Sequence, residues 1–224
     1  MRPFDALFCD MDGTLLLSEP LHWSAWLETL AVRGATLPAD LDATAYIGMA
    51  DAAIAHEACA RFGAAGPRAL LLELKQAAFM RQCQLHPPPP PMGRDAFLAH
   101  ARAQHRLAVV TSTSRGEAEP MLRAAGILDA FAFLVTADDT ARHKPEPAPY
   151  LEALRLARVR PERALVIEDS TFGLQAAHRA GIAAVGMHTA PAVRRAFPGL
   201  PHFDDFVALA RWFDGGAGRR RARP

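Results

Sequence analysis

Near its N-terminus the chain reads Ala6-Leu7-Phe8-Cys9-Asp10-Met11-Asp12-Gly13-Thr14. The first four residues are apolar and suit a buried strand, and two acidic residues follow where that strand would end. In open parallel sheets, ligands bind at the carboxyl ends of the strands. Turns also use Asp and Gly, but the pattern D-x-D-G-T arises by chance in only about one chain in a thousand. The segment therefore predicts a strand that leads into a functional site.

Four further apolar runs also suit short buried strands, at 107–110, 132–135, 164–167 and 183–186. Helix-length segments separate the later runs. Two of these segments end in Ala-Gly-Ile, in which glycine suits the left-handed position that ends a helix. Alternating strands and helices predict a parallel sheet covered on both faces. The expected fold class is α/β, with a doubly wound, Rossmann-like core.

Residues 20–85 break the alternation, because they show only helical periodicity. Ser18 is a candidate N-cap of the first helix and Gly34 its candidate end, and further helices are predicted around 54–62 and 70–79. A proline run at 87–91, followed by Gly93, is interpreted with 15–19 as a pair of hinge linkers. The predicted organisation is a core of residues 1–16 and 92–214, a helical cap of residues 17–91 and a disordered basic tail over 215–224.

The other predicted strands also end in polar residues. The hydroxyl cluster Thr111 to Ser114 follows one strand, Lys144 lies between prolines and a histidine after the next, and Glu168-Asp169-Ser170 follows the fourth. Lys144 and Lys75 are the only lysines among 25 basic residues, so a specific role for each is expected. Because these groups follow parallel strands, we expect them to converge on one pocket.

Such a pocket suits phosphoryl transfer. Several carboxylates suit a hard cation with oxygen ligands, and Mg²⁺ is the natural one for phosphate chemistry. A lysine and hydroxyl groups neutralise the charge on the transferring phosphoryl oxygens. One carboxylate can act as nucleophile while a second, two residues on, transfers protons.

At these residues the sequence resembles the haloacid dehalogenase superfamily, and within it the phosphatases and phosphomutases that carry a helical cap. The resemblance runs from Phe4 to about Phe213 and implies the residue roles. Asp10 would be the nucleophile and Asp12 the general acid and base, while Thr111, or Ser112 if the register differs by one residue, would bind phosphate with Lys144. Magnesium would be held by Asp10, the backbone carbonyl of Asp12 and Asp169, and Glu168 would support it directly or through water.

The resemblance also implies substrate-binding residues. His22 and Lys75 match cap positions that face the active site, and Ser114 and Arg115 could bind a distal anionic group. A cap arginine that binds the second phosphate in β-phosphoglucomutase has Asp51 at its place here. This difference favours a phosphatase acting on a small phosphorylated metabolite, with a phosphosugar mutase as the alternative.

Other classes fit the sequence less well. A haloacid dehalogenase proper does not need Asp12, and a receiver-type signalling domain has no cap. The net charge of +1 gives no reason to expect nucleic-acid or membrane binding. Three cysteines at unrelated spacings are typical of reduced thiols, and the N-terminus has no apolar stretch long enough for a signal peptide. We therefore expect a cytoplasmic protein. We also expect a monomer, because a capped enzyme closes on its own pocket.

Overall fold

Six parallel strands form one sheet in the computed structural model of the chain, which describes residues 4–215. They are β1 (Ala6–Cys9), β2 (Arg106–Val110), β3 (Phe133–Val135), β4 (Ala164–Glu168), β5 (Ala183–Met187) and β6 (His202–Phe203). Their order is β3-β2-β1-β4-β5-β6. In β1, Phe8 pairs with Ala108 of β2 and with Val166 of β4. The predicted doubly wound α/β fold is confirmed.

The described segment contains nine α-helices. Between β1 and β2 lie α1 (Glu19–Val32), α2 (Asp51–Arg61), α3 (Arg68–Leu85) and α4 (Arg94–Arg102). The later connections hold α5 (Arg115–Ala124), α6 (Ala148–Ala157), α7 (Thr171–Arg179) and α8 (Pro191–Ala196), and α9 (Phe206–Asp214) follows β6. None of the helices in residues 4–215 has the length and apolar character needed to cross a membrane.

The sheet is covered on both faces because its strands are apolar on both sides. Leu7 and Cys9 of β1 pack into one cluster, which also holds Phe97 and Phe206, and Phe8 packs with Tyr150 into the other. Burial on both faces is what a parallel sheet requires of its strand sequences.

Helices α1 to α3 share an apolar cluster of their own, which includes Trp26, Leu30, Ile54 and Leu71. Phe79 of α3 instead joins the cluster beneath the sheet. We propose that residues 17–91 form a cap domain that packs on the core. The predicted basic tail, residues 215–224, lies outside the described residues except for Gly215.

The two connections of the cap lie side by side. The backbone N–H of Leu17 donates to the carbonyl of Pro89 at 3.3 Å, and buried Arg94 donates from Nη1 to the carbonyl of Leu15 at 3.1 Å. Gly93 precedes α4 with a φ of 78°, a conformation that glycine adopts without strain. Ser18 precedes α1 as expected but makes no capping hydrogen bond, because its hydroxyl group turns toward Asp12.

Leu165 in the centre of the sheet provides a test of this packing. Its side chain is fully buried in β4, whereas Leu85 at the end of α3 is 67% exposed. Leu165→Ala should lower the free energy of unfolding by about 2–5 kcal/mol, since it removes buried methyl groups and leaves a cavity. Leu85→Ala makes the same chemical change and should cost less than about 0.5 kcal/mol. Urea unfolding monitored by circular dichroism would measure both; equal losses would contradict the assigned sheet position.

Candidate active site

A cavity of about 280 Å³ lies at the carboxyl ends of β1 and β2, between the sheet and helices α1 and α2. Core and cap line it together. The core contributes the two aspartates that follow β1 and the three hydroxyl residues that follow β2, namely Asp10, Asp12, Thr111, Ser112 and Thr113. The cap contributes Glu19, Pro20, His22, Trp23, Trp26, Tyr46, Ile47, Gly48, Met49, Asp51 and Ile54.

Lys144 joins the ends of three strands beneath this cavity. Its Nζ donates to Asp10 Oδ1 at 2.5 Å, to Glu168 Oε1 at 2.6 Å and to the carbonyl of Val110 at 2.9 Å. Burial opposes its positive charge, but Asp10 and Glu168 outweigh burial and raise the pKa of Lys144 well above its ordinary value. The ammonium group therefore stays charged beside Asp10.

Three buried carboxylates form a cluster at the same edge of the sheet. One oxygen from each of Asp10, Glu168 and Asp169 lies within 4.8 Å of the others. Burial, and after it the neighbouring carboxylates, raise the pKa of Asp169 well above its ordinary value. Burial also raises the pKa of Asp10 well above its ordinary value, with help from Glu168 and Asp12, although Lys144 opposes this shift. An excess of negative charge held in oxygen ligands fits a hard divalent cation such as Mg²⁺.

The Asp12 carboxylate is not a member of this cluster and accepts hydrogen bonds from core and cap. Ser18 Oγ donates to its Oδ1 at 2.5 Å and Thr113 Oγ1 to its Oδ2 at 2.7 Å. His22 Nε2 lies 2.9 Å from Oδ1. Burial opposes ionisation, but His22 and the two hydroxyl groups outweigh it and lower the pKa of Asp12 below its ordinary value. The Asp12 side chain is thus engaged by donors of the core and the cap.

The hydroxyl groups of Thr111 and Ser112, which follow β2, are directed to different partners. Thr111 Oγ1 lies 3.5 Å from Asp12 Oδ2 and accepts the backbone N–H of Thr113 at 3.1 Å. Ser112 Oγ is directed to the carbonyl of Gly48 in the cap, at 3.4 Å. Both predicted phosphate-binding positions line the cavity, and Thr111 is the one that faces the aspartates.

Lys75 is fully buried where the cap meets the core. Its Nζ donates to Asp51 Oδ2 at 2.6 Å, to Glu117 Oε1 of the core at 3.2 Å and to His22 Nδ1 at 2.9 Å. Because Nδ1 accepts from Lys75, the His22 ring carries its proton on Nε2 and donates it to Asp12. The His22 ring also stacks on Phe79, with ring centroids 3.8 Å apart.

Ser114 and Arg115 do not reach the cavity. Ser114 Oγ donates to Glu117 Oε2 at 2.8 Å. The guanidinium group of Arg115 pairs with Glu119 at 3.0 Å and with Asp139 at 2.7 Å, on the far side of α5. Of the four predicted substrate-binding residues, the structure therefore brings only His22 to the cavity wall, with Lys75 directly behind it.

Sequence reasoning did not single out several polar residues of the site, including Glu19 of the cavity wall. Thr113 could have been found, because it follows Thr111 by two positions and so projects to the same side of an extended chain. Ser18 was interpreted as a helix cap, a role that the same residue type commonly fills. Glu117 gave no local signal, since its contact with Lys75 joins residues 42 positions apart.

Comparisons with known proteins agree with this geometry. Residues 7–187 match the family model of the haloacid dehalogenase-like hydrolases. The chain belongs to this family. The predicted resemblance to the haloacid dehalogenase superfamily is thus confirmed, and hydrolase chemistry comes with it.

Individual relatives of this haloacid dehalogenase-like hydrolase are phosphatases or are bound to phosphate. Validoxylamine A 7'-phosphate phosphatase of Streptomyces hygroscopicus subsp. limoneus is 34% identical over 82% of this chain and 85% of its own length. The fructose-1-phosphate phosphatase YqaB of Escherichia coli is 31% identical over 81% of this chain and 95% of its own. The structure of CbbY from Rhodobacter sphaeroides in complex with phosphate superimposes with a TM-score of 0.78 at 31% identity, covering 92% of this chain and 96% of that one.

Gly173 in α7 has no side chain, and the Glu168 carboxylate occupies the space that a side chain there would fill. A Cβ atom at residue 173 would lie 1.6 Å from Glu168 Oε1, the atom that accepts from Lys144. Glu168 is held in place from its other side, because the backbone N–H and the hydroxyl group of Ser170 both donate to Oε2 at 2.9 Å. The Glu168 carboxylate therefore cannot move away from a Cβ atom at residue 173 without breaking these hydrogen bonds.

We expect Gly173→Ala to disrupt the acidic cluster. Helix propensity alone would make the substitution stabilising by about 1 kcal/mol, but the collision should displace Glu168 and with it Lys144. Thermal unfolding with and without MgCl₂ should show a lower Tm and loss of the magnesium-induced rise. Gly199→Ala is the matched control, because no atom lies within 4 Å of its Cβ position. An unchanged magnesium response in Gly173→Ala would argue against a role of Glu168 at the metal site.

Proposed function

We propose that the chain is a magnesium-dependent phosphatase that hydrolyses a small phosphorylated metabolite through a covalent aspartyl-phosphate. One observation carries the proposal: Asp10, bound to the Lys144 ammonium, lines the same cavity as Asp12 and the Thr111 hydroxyl group. A nucleophile, a proton carrier and donors for phosphate oxygens are then within reach of one phosphoryl group.

In the first step, a carboxylate oxygen of Asp10 attacks phosphorus and the bond to the ester oxygen breaks. Asp12 gives a proton to the departing oxygen. The hydrogen bonds to Asp12 favour its carboxylate form in the free protein, but a phosphate dianion entering beside it favours the protonated form, because like charges oppose ionisation. Substrate binding thus shifts Asp12 toward the protonated state that this step needs.

In the second step, water attacks the phosphorus of the aspartyl-phosphate, and Asp12, now a carboxylate, takes a proton from that water. The bond to Asp10 breaks and inorganic phosphate is released. Hydrogen bonds from Ser18, Thr113 and His22 hold the Asp12 carboxylate ready for this role.

Two further groups neutralise charge during both steps. The Lys144 ammonium, whose protons bind Asp10, Glu168 and the Val110 carbonyl in the free protein, would act by its positive charge from behind Asp10. The hydroxyl group of Thr111 would contact the peripheral phosphoryl oxygens, where transition-state charge is located. Asp10, Asp169, Glu168 and the Asp12 carbonyl are the proposed magnesium ligands. Magnesium, when bound there, supplies Lewis-acid stabilisation of the phosphoryl oxygens.

The relatives support the substrate class, since two of them are named for sugar-like phosphate esters. A mutase must also hold a second phosphate. By the sequence resemblance Asp51 stands at the position of the cap arginine, and Arg115 pairs with Glu119 and Asp139 and does not line the cavity. These observations favour the phosphatase over the mutase.

We further propose that the enzyme is a monomer, because its cap and core complete the cavity within one chain. We also propose that it acts in the cytoplasm, where cysteines such as its three free ones stay reduced.

Metal removal tests the cofactor. Exhaustive treatment with EDTA should abolish phosphate release, and added Mg²⁺ should restore it. Ca²⁺, which takes more ligands at longer distances, should support little turnover. Phosphate release from p-nitrophenyl phosphate is the measurement, and full activity after chelation would refute the proposed metal dependence.

Substitution of the two aspartates separates their roles. Asp10→Asn should lose turnover almost wholly, since an amide cannot form the acyl-phosphate. Asp12→Asn keeps size and backbone carbonyl and should lose about 10²–10⁴-fold in turnover. With p-nitrophenyl phosphate, whose leaving group needs little protonation, Asp12→Asn should release a burst of nitrophenol and then turn over slowly.

Rapid mixing with ³²P-labelled substrate would detect the intermediate behind that burst. The label should be trapped on Asp10 of the Asp12→Asn variant. Wild-type turnover by Asp12→Asn, or label on another residue, would overturn the assigned roles.

A further inference from the structure

The cap side of the cavity is acidic and aromatic. Its carboxylates are Glu19 and Asp51, and its aromatic residues are Trp23, Trp26 and Tyr46. Among the described residues that line the cavity, none is lysine or arginine. The single basic ring, His22, has both nitrogens engaged, by Asp12 and by Lys75. This wall therefore offers no free cation to a bound ligand.

Lys75 cannot supply the missing positive charge. An ammonium group has three protons, and Lys75 has an acceptor for each one in Asp51, Glu117 and His22. Its side chain has no exposed surface. Two carboxylates face this one ammonium group, and of the cluster of Lys75, Asp51 and Glu117 only the carboxylate residue Asp51 lines the cavity.

Asp51 is fixed in its position on the wall. Trp26 Nε1 donates to its Oδ1 at 3.0 Å while Lys75 binds its Oδ2, and 23% of the side chain stays exposed. Glu19 differs, because its carboxylate has no hydrogen-bond or ion-pair partner among the described residues. Burial raises the pKa of Glu19 to about 7, so near neutral pH this group can donate to or accept from a hydroxyl group.

We infer that the cavity selects phosphomonoesters whose remote part carries no negative charge, and that Asp51 is the residue that rejects a second phosphate or a carboxylate. The inference rests on the proposed phosphatase activity and names its substrate class. The remote part packs against the tryptophan side chains and offers hydroxyl groups to Glu19. A volume of about 280 Å³ is at the small end of ligand pockets, which limits this part to one small ring or a short chain.

Matched pairs of substrates test the inference. Glycerol 3-phosphate and 3-phosphoglycerate differ by a hydroxymethyl group against a carboxylate, and fructose 1-phosphate and fructose 1,6-bisphosphate differ by the second phosphate. The wild-type enzyme with Mg²⁺ should prefer the less charged member of each pair by at least about tenfold in kcat/KM, from the Coulomb repulsion at a partly buried carboxylate.

Asp51→Asn keeps the shape of the side chain and removes its charge. It should reduce that preference about tenfold, mainly by raising kcat/KM for the anionic member. Glu73→Gln is the matched control, because it removes one negative charge from an exposed position of α3 that does not line the cavity. Its preference should equal that of the wild type. Glu19→Gln, which breaks no hydrogen bond of the described chain, should reduce the preference about threefold and provides a second variant if Asp51→Asn fails to fold.

The outcomes separate this inference from the proposed function. Hydrolysis of the less charged substrates without any preference in the wild type would overturn the inference and leave the phosphatase activity standing. An equal change of kcat/KM for both members in Asp51→Asn and in Glu19→Gln would also overturn it. No magnesium-dependent hydrolysis of any of the four esters would instead count against the proposed function.

Discussion

The rest of the site depends on one buried ammonium group. Lys144 binds Asp10 after β1, the Val110 carbonyl of β2 and Glu168 at the end of β4. Three neighbouring strand ends are thereby held to one point, and Asp10, the proposed nucleophile, is oriented by the same contacts. Removing one member of a buried charge pair typically costs about 3–5 kcal/mol, so Asp10, the acidic cluster and the edge of the sheet are energetically linked.

Asp12 makes a second connection, between the core and the cap. It follows a core strand, yet two of its hydrogen-bond donors, Ser18 and His22, belong to the linker and first helix of the cap. The remaining close donor, Thr113, belongs to the core. The orientation of the Asp12 carboxylate, the proposed proton carrier, is therefore set by both parts at once, and any displacement of the cap changes its environment.

Much of this arrangement could be predicted because strand ends of a parallel sheet meet at one edge. The five predicted strands agree with β1 to β5 within one residue at each end, and the polar groups after β1, β2 and β4 line or adjoin one cavity. The two-residue β6 was missed because it is too short to show periodicity. The contacts of Lys75 with Asp51 and Glu117 depend on how the cap packs on the core. No local sequence pattern predicts that packing. The ion pair of Arg115 with Asp139 likewise has no local sequence signal.

The burial of both lysines has a consequence for how the protein can be modified. The chain has only two lysine residues, and the residue exposures of Lys75 and Lys144 are 0% and 5%. Enzymes and dyes that modify lysine need an accessible side-chain amine, and neither lysine of the folded chain offers one. Attachment to lysine would thus report unfolding of this protein, and its turnover in a cell would have to proceed by routes that do not begin with a modified lysine.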